Sequence, residues 1–179
     1  NNLIVENNLP NFAPEGNIVA KVPAGTGIMI LATSNVEVFN NILFNNKTTN
    51  TSIVSYFITE EALTDLLYYP YPTGVFIHDN IYKRDSQFPA FSFKQPIGFI
   101  LAYNFWRNIP DIVYDGIIDQ GLLDNSGKYP DKNKICIKNN INASFVNLDA
   151  GNDFIDISTN LLEFDCILDN IIPVTYPFE

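Results

Sequence analysis

Apolar residues alternate with other residues in four short segments of the chain, and two small polar residues follow each alternation. These segments are residues 3–9, 36–42, 75–81 and 135–141. The alternation predicts a β-strand with one buried face, and the polar pair predicts a turn, because asparagine tolerates left-handed backbone angles. A strand and an asparagine turn that recur along a chain are typical of a solenoid. We therefore expect an all-β fold, a right-handed parallel β-helix whose asparagine amides stack from coil to coil.

The repeats predict a single β-helix domain over residues 1–179. We expect coils over 1–142, insertions at about 59–72 and 105–132, and a capping segment over 143–179. Further strands are predicted at 98–104 and 112–115. A short helix is predicted near 59–67, where Thr59 can cap the first turn and Pro70 ends the segment. Because the repeat begins with the first residues, we expect the C-terminal part of a longer precursor; alternatively, a partner or a local loop covers that end.

Composition narrows the possible partners. The net charge of −10 disfavours nucleic acid and anionic membrane surfaces, whose phosphates would repel the chain. Although 46% of the residues are hydrophobic, no run approaches the roughly 20 apolar residues that span a bilayer. We therefore expect no transmembrane segment, and a partner that is a protein or a glycan.

Two cysteines, Cys136 and Cys166, lie in the last third of the chain. An even pair in a chain of exported type favours a disulfide, which would close a loop of about 30 residues. The alternative is two buried free thiols, because cysteine is often an ordinary core residue.

Most of the sequence resembles a bacterial family, the uncharacterised parallel β-helix repeat-containing proteins. The resemblance is carried by residues 135–140, 143–149 and 162–166, and extends to 27–46 and 73–75. It implies an exported protein of the periplasm, outer membrane or cell surface. Members of this family are often encoded beside a dihaem c-type cytochrome-like protein, so the resemblance also implies a c-type cytochrome-like partner.

A catalytic role has a few candidate residues. Many β-helices act on acidic polysaccharides, and a lyase or an epimerase needs a base beside carboxylates. His78, Asp79, Lys83 and Arg84 supply these residue types within one short segment. His78 is the one histidine, and histidine is the side chain that ordinarily titrates near neutral pH. The alternative is a solvated turn.

Calcium has a weak candidate site. Asp149, Asp153 and Asp156 offer oxygen ligands around Gly151, as hard cations prefer. Their spacing does not match the EF-hand loop. A turn that uses Asp, Gly and Asn for backbone reasons is the alternative, and no other cofactor is expected.

Aromatic residues in predicted loops are the candidates for binding. Tyr68, Tyr69 and Tyr71 alternate with prolines in the first insertion, and Trp106 follows another asparagine turn. Such rings can stack on sugars or anchor a protein partner, unless the loop folds back on the coils.

Two hypotheses remain: a non-catalytic envelope scaffold that binds a protein or a glycan, and a carbohydrate-active β-helix that acts on an acidic glycan.

Overall fold

The computed structural model describes residues 1–14, 16–90 and 96–171. Within these residues, ten strands form three parallel sheets, and the chain visits the sheets in the order A, B, C, then A again. Sheet A contains β1 (Leu3–Val5), β4 (Ile42–Phe44) and β7 (Ile81–Lys83). Sheet B contains β2 (Thr26–Leu31), β5 (Thr49–Val54), β8 (Ile112–Tyr114) and β10 (Phe145–Asn147). Sheet C contains β3 (Ser34–Phe39), β6 (Thr73–His78) and β9 (Ile135–Lys138).

Equivalent positions of the repeats lie beside one another in these sheets. Val36 pairs with Val75, and Val75 pairs with Ile135, in sheet C. The prediction of a parallel β fold is thereby confirmed. The first repeat has a different position, because β1 pairs with β4 in sheet A instead of joining sheet C. Its asparagines Asn7 and Asn8 therefore belong to a second corner, where Asn7 contacts Asn46.

The space between the sheets is filled by every second residue of each strand. Because strand side chains alternate between faces, one set points inward and forms a single cluster. Its buried members include Ile30, Val38, Leu43, Ile53, Val75, Ile77, Tyr82, Ile112, Tyr114, Ile135, Ile137 and Phe145. The hydroxyl of Tyr82 reaches that of Thr51 at 3.0 Å, which satisfies the polar end of a fully buried ring.

A row of asparagines joins the repeats at the turn between sheets C and A. The side-chain amides of Asn2, Asn41 and Asn80 each donate to the next Oδ1 in the row, at 2.9–3.0 Å, and Asn140 ends the row. The residue before each of the last three asparagines has a left-handed backbone; these residues are Asn40, Asp79 and Asn139. Asn and Asp adopt this conformation more readily than other residues with side chains, so the same pair of residues forms the turn and the ladder.

The α-helix lies in a different place from the one predicted. Helix α1 spans Pro96–Phe105, whereas residues 59–67 contain only the end of a 3₁₀ helix, Tyr56–Thr59. The strand predicted at 98–104 is also wrong, because α1 covers these residues. The apolar side chains of α1 pack with Val113 and Val146 of sheet B. Glu60 is left-handed (φ 59°) after the 3₁₀ helix, so the predicted helix near 59–67 does not continue.

Four long connections separate consecutive strands. They cover 6–25, 55–72, 84–111 and 115–134, so β8 interrupts the insertion predicted at about 105–132, and the strand predicted at 112–115 is confirmed as β8. The other 3₁₀ helices of the described residues are Ile18–Lys21, Gln120–Leu122, Asp131–Asn133, Ala150–Asn152 and Leu162–Phe164. Among the described residues, no helix has the length and apolar character needed to cross a membrane.

The C-terminal segment is joined to sheet C by a disulfide between Cys136 and Cys166, as predicted. An ion pair between Lys138 and Asp165 lies beside the disulfide, and the Ile171 N–H donates to Glu37 at 3.2 Å. Phe164 of the same segment packs against Tyr114 and Phe145 of the interior cluster. Of the segment predicted as a cap, residues 143–171 are described, and its first part forms β10 of sheet B instead of a cap; 172–179 lie outside the described residues.

Candidate functional site

The connection between β5 and β6 exposes four consecutive apolar or aromatic side chains, which we call the LLYY loop (Leu66, Leu67, Tyr68 and Tyr69). Leu66 and Leu67 are 92% and 96% exposed, and the two tyrosines are 38% and 37% exposed. Large apolar side chains that are adjacent and open to solvent often mark a contact surface. The predicted binding residues Tyr68 and Tyr69 are thus accessible, and the two exposed leucines lie directly beside them in the sequence.

Hydrogen bonds and ring contacts hold the LLYY loop in place. Tyr69 donates from its hydroxyl to Asp119 at 2.9 Å, and the Leu67 N–H donates to Asp65 at 2.9 Å. Burial, with the help of Asp119, raises the pKa of Tyr69, so the phenol stays protonated and keeps its donor. Tyr68 packs edge-on against Tyr56. The loop therefore combines fixed tyrosines with free leucines.

Tyr71 and Trp106 lie in different surroundings. Tyr71 packs against Phe57 and Tyr69, so its ring connects the LLYY loop to the 3₁₀ helix Tyr56–Thr59. Trp106 follows α1, is 66% exposed and packs edge-on against Phe88. The structure therefore brings the three predicted tyrosines together and places the predicted tryptophan beside a different segment.

The predicted catalytic residues divide between two places. His78 lies on the outer face of sheet C, stacked between Phe39 and Phe76. Its Nδ1 is 2.8 Å from Asp79 and its Nε2 is 3.0 Å from Glu37, so both ring nitrogens have a carboxylate partner. Because Glu37 also accepts the Ile171 N–H, this histidine joins the sheet to the C-terminal segment.

Lys83 and Arg84 lie at the next corner of the chain, between sheets A and B. They line an open cavity of about 470 Å³ together with Arg107, Asn108 and Asn142. His78 and Asp79 are not among the residues that line it. The four residues proposed for acid–base chemistry therefore do not converge on one cavity.

The predicted calcium ligands make a hydrogen-bonded turn. The Asp149 carboxylate accepts the backbone N–H of Asp156 at 3.1 Å and the side-chain amide of Asn152 at 2.8 Å. Asp153 is left-handed and exposed. In the described part of the chain, no three His, Cys, Asp or Glu side chains are arranged to hold a metal ion.

A second cavity, of about 630 Å³, lies between the 115–134 connection and the C-terminal segment. Tyr129 and Phe164 supply aromatic walls, and Lys128, Asn152 and Glu163 supply polar groups. A concave site with aromatic walls and a few polar groups has the general character of a small-molecule site.

Asp115 is a fully buried carboxyl group, whereas the sequence predicts a solvated loop or turn position for it, as for Asp111, Asp119 and Asp124; Asp111 is buried as well. It accepts the backbone N–H groups of Ser55 at 2.6 Å and Ile117 at 3.0 Å. Burial nevertheless raises its pKa to about 6, because removing the carboxylate from water outweighs these two hydrogen bonds. The folded protein therefore binds a proton at Asp115 more tightly than the unfolded chain does.

This pKa predicts a measurable pH dependence of stability. Asp115 should contribute about 2–3 kcal/mol below pH 4, and this contribution should disappear as the pH rises through 6. Urea titrations between pH 4 and 7 should show a free energy of unfolding that falls less steeply in Asp115→Asn than in the wild type. The exposed Asp131→Asn serves as the control. Equal slopes for wild type and Asp115→Asn would show that Asp115 does not titrate in this range.

The sequence predicts no binding role for Leu66 and Leu67 and a solvated position for Asp115, and it links Arg107 only with its neighbour Trp106. The two leucines were assigned to a helix, and a helix would have given them a face to bury. The signal that could have identified them is the sequence Leu-Leu-Tyr-Tyr-Pro itself, which is apolar yet ends at a helix breaker. Arg107 is 23 positions after Arg84, and only the fold brings the two residues to one cavity.

Comparison with known proteins adds no relative: no protein-family model, curated protein or solved structure matches this chain.

Proposed function

We propose that the three sheets are the faces of one right-handed parallel β-helix, and that this β-helix is a non-catalytic scaffold that binds a protein partner. The cyclic order of the sheets supports the β-helix, as does the asparagine ladder, because both repeat once per coil. Parallel crossovers in proteins are overwhelmingly right-handed.

The observation that carries the binding function is the exposure of the LLYY loop. Leu66 and Leu67 leave nearly all of their side chains in water. Burying one leucine at an interface gains about 1.5–3 kcal/mol, so this pair can supply the apolar centre of a larger interface. The adjacent Tyr68 and Tyr69 add flat, partly fixed surface, which loses little entropy on binding.

The charge around the loop defines the partner further. Asp65 precedes the leucines and accepts the Leu67 N–H, and Asp119 accepts the Tyr69 hydroxyl. Acidic groups around an apolar centre favour a partner whose apolar pocket has a basic rim. The same charge opposes an anionic membrane or polymer at this loop.

We further propose that the protein is exported to the bacterial periplasm, outer membrane or cell surface. The disulfide supports this location, because disulfides persist in oxidising compartments. The family resemblance adds a c-type cytochrome-like protein as the first partner to test.

Glycan binding is the second candidate function. It is favoured by the 630 Å³ cavity, where Tyr129 and Phe164 could receive a sugar ring. A lyase or an epimerase acting on an acidic glycan is the less supported form of this candidate, since His78 and Asp79 lie away from the cavity that contains Lys83 and Arg84.

A photo-crosslinking amino acid at Leu67 tests the protein-binding function, with the same amino acid at the 83% exposed Ile155 as the control. The partner captured from the envelope fraction is identified, purified and titrated by calorimetry. The double variant Leu66→Ser/Leu67→Ser should weaken its binding by about 100-fold, which corresponds to about 2.7 kcal/mol.

Ile155→Ser should leave the affinity unchanged, and 0.5 M salt should reduce it. Equal affinity of the double variant and the wild type would contradict the proposal. Binding of neutral oligosaccharides that is lost in Tyr129→Ala would instead favour the glycan alternative.

A further inference from the structure

A basic pocket lies at the corner between sheets A and B, away from the LLYY loop. We define it by Lys83, Arg84, Arg107, Asn108 and Asn142, which line the cavity of about 470 Å³. The chain has only 10 Lys and Arg residues against 20 Asp and Glu residues, so three cations at one cavity are a strong local concentration of positive charge. Charge of one sign in a cleft attracts ligands of the other sign.

Arg84 forms the inner wall of this pocket. Its side chain is 8% exposed, and its Nη1 donates to the Lys47 carbonyl at 3.1 Å. Within the described residues, Nε and Nη2 are buried and have no hydrogen-bond partner. Burial lowers the pKa of Arg84, and nearby Asp111 opposes this effect, so the guanidinium keeps its charge. Unpaired N–H groups of a buried cation are costly, and such groups favour an acceptor.

Asp111 is the nearest carboxylate, but its oxygens have other donors. Oδ1 accepts the Asn50 amide at 2.7 Å, and Oδ2 accepts the N–H and hydroxyl of Ser144 at 3.1 and 2.6 Å. Arg84 Nε is 3.6 Å from Oδ1, which is beyond hydrogen-bond distance. Asp111 therefore offsets the charge of Arg84 without satisfying its N–H groups.

The other acidic residue of the pocket is also engaged. Asp85 accepts the Asn45 amide at 2.7 Å through Oδ2, and Asn45 lies in the preceding turn of the same corner. Lys83 and Arg107 are both exposed at the rim, where Lys83 lies over the Phe44 ring and Arg107 donates to the Ser86 carbonyl. The three cations Lys83, Arg84 and Arg107 outnumber the two carboxylates Asp85 and Asp111, so the pocket carries one net positive charge.

We propose that the basic pocket binds an oxyanion, either a carboxylate or a sulfate. Arg84 forms its inner wall, and Arg107 and Lys83 form its rim. A planar guanidinium matches the two oxygens of a carboxylate or sulfate, and the exposed rim side chains can close over it. The amides of Asn108 and Asn142 offer further donors. The oxyanion is either a free ion or a group carried by an acidic glycan, and the two sources share this chemistry.

Calorimetry at low ionic strength tests the site with three probes: sodium sulfate, trigalacturonate and neutral maltotriose. We expect saturable binding of the two anions and none of maltotriose. Tighter binding of trigalacturonate than of sulfate identifies a glycan-borne oxyanion, and equal binding identifies a free one. Failure of both anions to bind, or equal binding of maltotriose, would overturn the proposal.

Substitutions of the rim side chains test the site without disturbing the fold, because these side chains are exposed. Arg107→Gln and Lys83→Gln change exposed side chains and should each weaken anion binding by about tenfold, as expected for about 1.4 kcal/mol. Lys132→Gln, an exposed lysine elsewhere, should leave binding unchanged. Arg84→Gln should abolish binding, and if it does not fold, the rim double variant decides. Unchanged affinity in that double variant would overturn the assignment, whereas Leu66→Ser/Leu67→Ser should bind the anion normally.

Discussion

Replacing Asn80 with alanine is expected to destabilise the protein by about 3–5 kcal/mol. Asn80 is fully buried at the centre of the ladder. Its amide donates to the Val38 and His78 carbonyls and to Asn140, at 2.9–3.0 Å. Its Oδ1 accepts both the backbone N–H and the side-chain amide of Asn41. Alanine would leave several buried polar groups without partners, and unpaired buried groups cost more than the lost bond itself.

Urea denaturation followed by circular dichroism measures this effect. Asn104→Ala is the matched control, because Asn104 is exposed on α1 and its amide makes one local bond to the Ile100 carbonyl. The control should change stability by less than about 0.5 kcal/mol, as is usual for a surface position. Similar midpoints for the two variants would mean that the ladder contributes little to the fold.

Removing the disulfide with Cys136→Ser/Cys166→Ser is expected to cost about 3 kcal/mol. The two residues are 30 positions apart, and Cys136 is fully buried in sheet C. Besides freeing the unfolded chain, the change removes the covalent attachment of the C-terminal segment, which then depends on contacts such as those of Phe164. Limited proteolysis should therefore cut near residues 160–171 much faster in the variant.

Chemical reduction of the disulfide in the wild type provides an internal control for this prediction. Dithiothreitol should lower the unfolding midpoint of the wild type toward that of the variant, and it should leave the variant itself unchanged. If the reduced wild type kept the stability and protease resistance of the oxidised protein, the disulfide would have no role in holding the segment.

The sequence predicted the strands and their turns well, because both depend on local chemistry. Alternation indicated the inward faces of β3, β6 and β9, and the asparagine pairs indicated the corners that follow them. The first repeat was assigned to the wrong corner, since 3–9 resembles 36–42 as closely as it resembles the residues beside which it lies. Only the pairing of β1 with β4 shows that the first repeat belongs to sheet A and not to sheet C.

The long connections were predicted less well, because distant contacts decide their structure. Residues 98–104 have the apolar composition of a strand, yet they form α1, which has the outer face of sheet B to pack against. Residues 59–67 have good helix signals but no such face, and Leu66 and Leu67 remain in water. Tertiary packing thus overrode local propensity in both segments.

The candidate sites follow the same division. Tyr68, Tyr69 and Tyr71 were identified because aromatic residues among prolines stand out in a sequence. The partner of Tyr69 could not be foreseen, since Asp119 is 50 positions away. His78 is the catalytic candidate whose residue type ordinarily titrates near neutral pH, but its position between two phenylalanines and two carboxylates depends on neighbouring strands and on the turn beside it.

The proposed stacking of successive coils can be tested directly by NMR, through nuclear Overhauser contacts between side-chain amides of selectively labelled asparagines. Stacked coils predict contacts from Asn41 to Asn80 and from Asn80 to Asn140, which are 39 and 60 positions apart. The neighbouring turn residues Asn40 and Asn139 should show none with each other. Absence of the first two contacts in the folded protein would contradict the parallel β-helix.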